Sequence, residues 1–301
     1  MISIDDPYGT RIGVLDVGSN SVRLLVADVA NGQVLSIHTE KITSRLMSGF
    51  ADGLLSGDAI ERTARAVELL AEKARALGAQ TVMGFGTSAL RDGANRSLLI
   101  ARAERAGVPI AVVSGEEEAG LAYAGAAPAG RRGVIDIGGG STELSAGEDG
   151  RVLVARSSRI GSVRLCEALS GATKPDDMLV AARAALSPAW EELACHPVEG
   201  WTGVGGTITS LAAMELSLSP YDPARVEGFP VTAQAAHGWL DRLCAMPLEA
   251  RKTLVGLNPE RADIIPFGAA ILCVFFDLSH AMHVTASDHD NLLGYARRHF
   301  L

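Results

Sequence analysis

An internal repeat is the feature that most constrains how this chain can fold. The segment Asp16–Ser21 (DVGSNS) aligns with Asp136–Ser141 (DIGGGS), and Leu24 takes the position of Leu144. Three blocks in one order indicate a duplication, so we expect two related lobes. The two further blocks are Gly32–Leu35 with Gly150–Leu153 and Arg45-Leu46 with Arg164-Leu165, and between them Ile42 matches Ile160.

The order of predicted elements indicates an α/β protein. Three short strands are predicted within residues 12–38, and the pattern restarts at Gly133 with three more. An apolar stripe predicts a helix from about Asp58, with Asp58 as its cap and Glu61 completing a capping box. Strands that alternate with helices favour an α/β fold. The apolar segment 264–278 predicts a buried helix, since it is too short to span a membrane.

Composition narrows the class of protein. The chain has 301 residues and a net charge of −8, which argues against a nucleic-acid-coating protein. Its four cysteines form no CxxC pair, and its N-terminal residues show no signal-peptide pattern. We therefore expect a cytoplasmic protein with no membrane partner. Glycine is in excess, at 33 residues, and several glycines cluster in turns.

The two repeated turns have the composition of phosphate-binding loops. Glycine turns expose successive backbone N–H groups, which bind anions, and Ser21 and Ser141 add hydroxyl donors. Asp16 and Asp136 precede the glycines, and a carboxylate beside phosphate requires a cation, for which Mg²⁺ is suited. Glu143 has two interpretations: it lies near the same site, or it faces solvent from its strand.

Three further motifs carry candidate functional groups. Gly205-Gly206-Thr207 forms a turn between a strand and a helix start, where free N–H groups favour phosphate. Glu118 is the one glutamate of Glu116–Glu118 that could point into a cleft and activate water, because Glu117 fits a capping box with Ser114. Arg91 follows a predicted strand and could bind phosphate through its guanidinium, or lie on the surface.

These motifs resemble the exopolyphosphatase / guanosine pentaphosphate phosphohydrolase (Ppx/GppA) family of the actin/hexokinase/Hsp70-like superfamily. The matching segments cover nearly the whole chain in family order. They are VLDVGSNSVRLLV, TSALRDGANR, VVSGEEEAGLAY, VIDIGGGSTEL, RIGSVRL, GVGGTITSLA and RADIIPFGAAIL.

The resemblance implies two ribonuclease-H-like (actin-like ATPase) α/β lobes with an interdomain cleft. We place the first lobe at residues 1–123, joined by residues 292–301, and the second at residues 124–291. The resemblance also implies Mg²⁺-dependent hydrolysis of the terminal phosphate of inorganic polyphosphate. The alternatives are the 5′-phosphate of pppGpp, phosphate transfer by an ATP-dependent kinase, or a polyphosphate or alarmone sensor that binds without cleaving. Homodimers occur in the family.

The family's functional residues transfer onto this chain without substitution. The resemblance assigns Glu118 as the catalytic base that activates water and Arg91 as a catalytic arginine. It assigns the metal to Asp136 and Glu143, with Asp16 as a further ligand. We predict phosphate binding by Asp16, Gly18, Ser19, Asn20, Ser21, Gly138, Gly139, Gly140, Ser141, Gly205, Gly206 and Thr207.

The chain departs from the family pattern at two places. Met47-Ser48-Gly49 replaces a Gly-Glu-Gly-like turn after Arg45-Leu46. Near the C-terminus, Ser287–Gly294 reads SDHDNLLG and lacks a basic residue and an Arg-Glu pair of the family. The second departure leaves chain-length preference open and does not touch the catalytic motifs.

Overall fold

The chain folds as alternating strands and helices in two compact units. The computed structural model describes residues 9–126 and 129–301. The first unit comprises the described residues up to Ser114 together with Asn291–Leu301, and the second comprises Gly115–Asp290. In chain order the elements are β1 (Thr10–Val17), β2 (Ser21–Ala30), β3 (Gln33–Thr43), α1 (Gly57–Ala76), β4 (Thr81–Gly86), α2 (Ser88–Asp92), α3 (Ser97–Arg105), β5 (Ile110–Val112), α4 (Gly115–Ala126), β6 (Arg131–Ile137), β7 (Thr142–Glu148), β8 (Arg151–Ser158), α5 (Ser162–Ala168), α6 (Pro175–Leu193), β9 (Gly200–Val204), α7 (Gly206–Glu215), α8 (Pro223–Val226), β10 (Pro230–Thr232), α9 (Ala233–Ala245), α10 (Leu248–Arg251), a 3-10 turn (Pro259–Arg261), α11 (Ile265–Ser279), β11 (His283–Ala286) and α12 (Asn291–Phe300).

The first unit is built on a five-stranded sheet in the order β3-β2-β1-β4-β5. Strands β1, β2 and β3 form an antiparallel meander, and β4 and β5 continue the sheet parallel to β1. The central strand β1 is buried from Ile12 to Val17, as expected for a strand covered on both faces. Helix α12, at the end of the chain, packs on β1 and β2 and completes this unit.

The second unit repeats that arrangement and extends it. Its sheet has the order β10-β11-β9-β6-β7-β8, with an antiparallel β6-β7-β8 meander and β9 parallel to β6. The longest buried element is α11, in which every residue from Ile265 to Phe276 is buried. The buried helix predicted at 264–278 is therefore confirmed. No helix within the described part of the chain is long and apolar enough to cross a membrane.

The strand registers agree with the predicted duplication. The meanders β1-β2-β3 and β6-β7-β8 share their connectivity, and each is followed by a strand parallel to its first strand. Both meanders also carry a β-bulge at the same place: the register shifts after Val26 in β2 and after Ala146 in β7. Bulges are retained as designed features of a fold. A shared bulge therefore supports a common origin of the two sheets.

Two local predictions need correction. The cap of α1 is Ser56, whose side chain accepts the N–H of Ala59, so the prediction of Asp58 as the cap was wrong by two residues. Asp58 instead lies in the first turn, where a negative charge favours the helix dipole. The boundary predicted at residue 123 falls inside α4. Because α4 packs on β6, β7 and β8, it groups with the second unit from Gly115 onward.

We predict that Tyr295 anchors α12 to the first unit. Its ring stacks on that of Phe85 with centroids 4.6 Å apart, and both side chains are buried. Tyr295→Ala should lower the free energy of unfolding by about 3 kcal/mol, because it leaves a cavity beside Phe85. Arg298→Ala, an exposed change on the same helix, should cost less than about 1 kcal/mol. Equal losses in urea unfolding of the two variants would contradict this.

Candidate active site

Two carboxylates of the second unit stand opposite each other at the end of a strand pair. Asp136 of β6 is the register partner of Glu143 of β7, and the glycine turn 138–140 joins these strands. Cross-strand partners have Cβ atoms about 5 Å apart on the same face, and like charges there repel. Asp136 is 5% exposed and Glu143 is 1% exposed, so water screens little of this repulsion.

A third carboxylate approaches the pair from helix α4. Glu118 is 5% exposed, whereas Glu116 and Glu117 of the same turn are exposed. Burial raises the pKa of Glu143 well above its usual range, and the charges of Glu118 and Asp136 raise it further. The structure therefore brings together Glu118, Asp136 and Glu143, as the sequence predicted. The interpretation that Glu143 faces solvent was wrong.

Ser157 holds one of these carboxylates in place. Its Oγ donates to Glu143 Oε1 at 2.7 Å from the neighbouring strand β8, and a hydrogen bond from Ser141 also favours the ionised form of Glu143. Ser157 in turn packs against Gly115, where a Cβ would come within 3.0 Å of Ser157 Oγ. The first residue of α4 thus lies against the strand that orients Glu143. Sequence reasoning missed Ser157, which belongs to no motif.

The third glycine turn lies directly against Asp136. Gly205 has a φ of +85°, and a Cβ on it would overlap Asp136 Oδ1, so both conformation and space require glycine. Thr207, in the first turn of α7, is fully buried, and its Oγ1 has no hydrogen-bond partner among the described residues. Buried hydroxyl groups without a protein partner indicate a ligand or water. The turn and the carboxylates therefore form one cluster.

An arginine that the sequence analysis did not single out borders the same turn. A Cβ on Gly206 would overlap the Arg261 guanidinium, so this cation lies at the N-terminus of α7. Arg261 belongs to the RADIIPFG segment, which carried the signal for it. The predicted phosphate-binding turn thus has both helix N–H groups and a guanidinium beside it.

The equivalent turn of the first unit differs at one register position. Asp16 of β1 is buried, and its register partner on β2 is Arg23. Arg23 donates from Nε (3.0 Å) and Nη2 (2.5 Å) to Asp16 Oδ2. In the repeat, Arg23 takes the position of Glu143, so the first unit neutralises its aspartate with an arginine where the second unit opposes it with another acid. Sequence reasoning missed Arg23, although extending the repeat alignment would have found it.

The remaining predicted residues of the first unit line the turn after β1. Gly18 N donates to Ser21 O at 3.0 Å, as Gly138 N does to Ser141 O in the second unit. Asn20 Nδ2 donates to Ser21 Oγ at 3.3 Å. Ser19 is buried, and its Oγ has no partner within residues 9–126 and 129–301. The two turns therefore share their backbone geometry, and each of these residues stays a predicted phosphate ligand.

Arg91 lies in α2 and is half-buried. Its Nη1 donates to Val113 O at 3.2 Å, at the end of the first unit. The structure thus shows a contact with the backbone, and the predicted role of Arg91 with phosphate stays a prediction.

The donor set of the second unit suits a hard divalent cation. No group of three or more metal-ligating side chains in a metal-holding arrangement occurs among the described residues. Mg²⁺ does not need one, because it is usually bound by one or two carboxylates, with water and substrate phosphate completing its shell. Asp136 and Glu143 supply two buried oxygen donors whose mutual repulsion a cation would relieve. Asp16, already paired with Arg23, fits this role less well.

The segment that departs from the family pattern is held by the second unit. Ser287 Oγ and Asp288 N both donate to Glu227 Oε2, at 3.0 and 2.9 Å. Tyr221 OH donates to Asp288 Oδ2 at 2.6 Å. Ser287 and Asp288 are therefore held by hydrogen bonds to Glu227 and Tyr221.

The sheets, the glycine turns and the buried carboxylates define an α/β protein with the machinery of phosphoryl chemistry. The chain belongs to the Ppx/GppA phosphatase family, whose model matches residues 25–289. It is 34% identical over 315 residues to exopolyphosphatase 2 of Mycobacterium tuberculosis, covering 95% of this chain and 98% of that protein.

Solved structures agree with this assignment. The Aquifex aeolicus PPX-GPPA enzyme matches with a TM-score of 0.78 at 29% identity, covering 96% of this chain and 99% of that one. An exopolyphosphatase-like protein matches with a TM-score of 0.89 at 26% identity, covering 97% and 100% of the two chains. The predictions of the family, of two α/β lobes and, at the level of the family, of a phosphatase are thereby confirmed.

We predict that Gly205→Ala lowers phosphatase activity at least tenfold. The new Cβ would displace Asp136 Oδ1 or the turn itself. The matched control is Gly171→Ala, which has a similar φ of +74° with open space around it. Gly205, at φ +85° and ψ 163°, lies in a region of backbone conformation that is essentially restricted to glycine, so Gly205→Ala also carries a backbone strain on the order of 1–3 kcal/mol. Unfolding and phosphate release are measured side by side, and equal activity in the two variants would show that contact with Asp136 is unimportant.

Proposed function

We propose that this protein is an exopolyphosphatase that hydrolyses the terminal phosphoanhydride bond of inorganic polyphosphate. The observation that carries the proposal is the buried set of Glu118, Asp136 and Glu143 beside two glycine turns. Exopolyphosphatase 2 of Mycobacterium tuberculosis, with which the chain aligns over nearly its full length, supports the substrate class.

The terminal phosphoryl group would be held by backbone donors. The turn 138–140 and the N-terminus of α7 each present N–H groups that bind phosphate oxygens. Thr207, in the first turn of α7, would add a buried hydroxyl, and Arg261 would add a guanidinium beside Gly206. This arrangement needs no basic surface, so it is compatible with the net charge of −8.

Asp136 and Glu143 would hold Mg²⁺. The cation supplies a positive charge that neutralises phosphoryl oxygens as the transition state forms. The chain's own part is to hold the two carboxylates at one register position. Burial and the charges of Glu118 and Asp136 raise the pKa of Glu143, and the hydrogen bonds from Ser157 and Ser141 offset part of that rise by favouring the ionised form. The predictions of Mg²⁺ as the cofactor and of Asp16 as a further ligand belong to this proposal.

Glu118 would position and deprotonate the attacking water. Its carboxylate accepts one proton as the water oxygen bonds to phosphorus and the phosphoanhydride bond breaks, which releases orthophosphate and a chain one phosphate shorter. Its buried place among two other carboxylates distinguishes it from Glu116 and Glu117. A retained set of three buried acids weighs against a sensor that binds without cleaving.

A side-by-side hydrolysis assay tests the proposal. Long polyphosphate, short polyphosphate, pppGpp and ATP are each incubated with the protein and Mg²⁺, and orthophosphate is measured. We expect the highest kcat/KM with polyphosphate, and loss of release in EDTA that added Mg²⁺ restores.

Each other outcome identifies a different activity. Preference for pppGpp would identify the protein as a pppGpp 5′-phosphohydrolase. Transfer of phosphate from ATP to an acceptor would identify it as a kinase. Tight binding with no release would assign a sensor. The predicted cytoplasmic location, the absence of nucleic-acid and membrane partners and the homodimer stay predictions.

We predict that Glu118→Gln lowers kcat at least tenfold with little change in KM. Glutamine keeps the shape of the side chain but cannot accept the proton, so the loss falls on the chemical step. Glu116→Gln is the matched control, because it removes an exposed acid from the same turn and should leave kcat unchanged. A loss below tenfold for Glu118→Gln would reject this residue as the base.

A further inference from the structure

We propose that Arg164 is a positioning residue that holds the glycine turn 138–140 ready to bind phosphate. The proposal rests on the proposed function, since it assumes that this turn binds the phosphoryl group. Arg164 would not touch the substrate. It would act through the peptide groups of the turn, together with the backbone of Ser162 and Val163.

All three carbonyl groups of the turn are engaged by the start of α5. Gly138 O accepts from Ser162 N (3.0 Å) and Ser162 Oγ (3.3 Å). Gly139 O accepts from Val163 N (2.9 Å) and Arg164 N (3.0 Å). Gly140 O accepts from Arg164 Nε at 2.7 Å, which is the one side-chain contact by a charged group in this set.

Fixing the carbonyls also fixes the opposite side of each peptide group. In a trans peptide the N–H of one residue points away from the preceding carbonyl. The carbonyls of Gly138 and Gly139, held by backbone N–H groups at the start of α5, direct the N–H groups of Gly139 and Gly140 away from that helix. The carbonyl of Gly140, held by Arg164 Nε, directs the N–H of Ser141 in the same way. Among the described residues, neither Gly139 nor Gly140 donates its N–H to a protein oxygen. These donors are therefore oriented and available for a phosphate oxygen.

The segment before α5 packs closely against the turn. A Cβ on Gly161 would come within 2.5 Å of Gly139 O and 2.7 Å of Gly140 N. Thr142 Oγ1 donates to Ile160 O at 2.6 Å, which ties the same segment to β7. Residues 160–164 therefore support the back of the turn, and Arg164 adds a hydrogen bond from its Nε to Gly140 O.

In the first unit, backbone N–H groups hold the carbonyls of the equivalent turn, but the pairing is shifted by one residue. Ser44 N and Arg45 N both donate to Asn20 O, at 3.1 and 2.8 Å, and Met47 N donates to Ser19 O at 3.1 Å. In the second unit the paired N–H groups contact Gly139 O, one residue earlier in the turn. Gly140 O, which takes the position of Asn20 O in the repeat, receives the Arg164 side chain. The Arg164 guanidinium thus donates to Gly140 O, as backbone N–H groups donate to Asn20 O.

Three substitutions separate positioning from direct contact with phosphate. Glutamine places a nitrogen donor at the same distance along the side chain as arginine Nε, without charge. Lysine keeps the charge and lacks a nitrogen at that position, and methionine lacks both. For positioning, Arg164→Gln should retain kcat/KM within about threefold. Arg164→Met and Arg164→Lys should each lose about tenfold to hundredfold, as expected for loss of a charge-assisted hydrogen bond.

Binding is measured separately from catalysis. Calorimetric titration with tripolyphosphate in EDTA reports on the turn without metal or turnover. We expect Kd to rise by a similar factor in Arg164→Met and to keep the ionic-strength dependence of the wild type. Thermal unfolding verifies that each variant is folded, and Arg225→Met, an exposed arginine of the same unit, controls for loss of one charge.

The opposite order of variants would overturn the proposal. If Arg164 contacts phosphate directly, Arg164→Lys keeps the activity, whereas Arg164→Gln loses it and binding becomes less dependent on ionic strength. If Arg164→Met does not fold, the comparison of Arg164→Gln with Arg164→Lys still distinguishes positioning from direct contact with phosphate. A wild-type protein that binds tripolyphosphate but releases no orthophosphate would refute the proposed function. The Kd values of the Arg164 variants would still test whether Arg164 positions the turn. A wild-type protein that binds no phosphoanhydride would refute both.

Discussion

The buried pair of Asp136 and Glu143 is the constraint on which the candidate site depends. Two acids at one register position of adjacent strands repel each other in a dry environment, and Glu118 adds a third charge. Such an arrangement lowers the stability of the unit unless a cation or a proton relieves it. The second unit therefore carries an electrostatic cost that the first unit avoids by placing Arg23 opposite Asp16. The duplicated sheets share their register, and at this position the first sheet carries an arginine where the second carries an acid.

Much of this arrangement is predictable from sequence because it is local. The glycine turns, the strand ends that carry Asp16 and Asp136, and the alternation of strands and helices all follow from short-range patterns. The repeat adds long-range information, since two similar segments imply two similar sheets. Burial of Glu118 is also predictable, because the sequence predicts Glu117 in the helix cap and Glu118 lies about 100° further round the helix.

The features that sequence reasoning missed depend on contacts between distant segments. Ser157 reaches Glu143 only because β8 pairs with β7, and Arg261 reaches Gly206 across more than fifty residues. The cap of α1 was misplaced for a different reason: Ser56 and Asp58 are both good capping residues, and only the backbone shows which one precedes the helix. The domain boundary was displaced because the sequence of a helix does not show which sheet it packs on, and α4 packs on β7 and β8.

The position of α12 has a consequence for how the protein is made. The second unit is continuous in sequence, from Gly115 to Asp290, so all its parts leave the ribosome before α12 does. The first unit is discontinuous in sequence, and Phe85 of its sheet stays uncovered until Tyr295 of α12 has been synthesised. Domains generally fold as units during synthesis. The unit whose sequence begins the chain is therefore the last to be completed, and its strands must stay unaggregated while the whole of the other unit is translated.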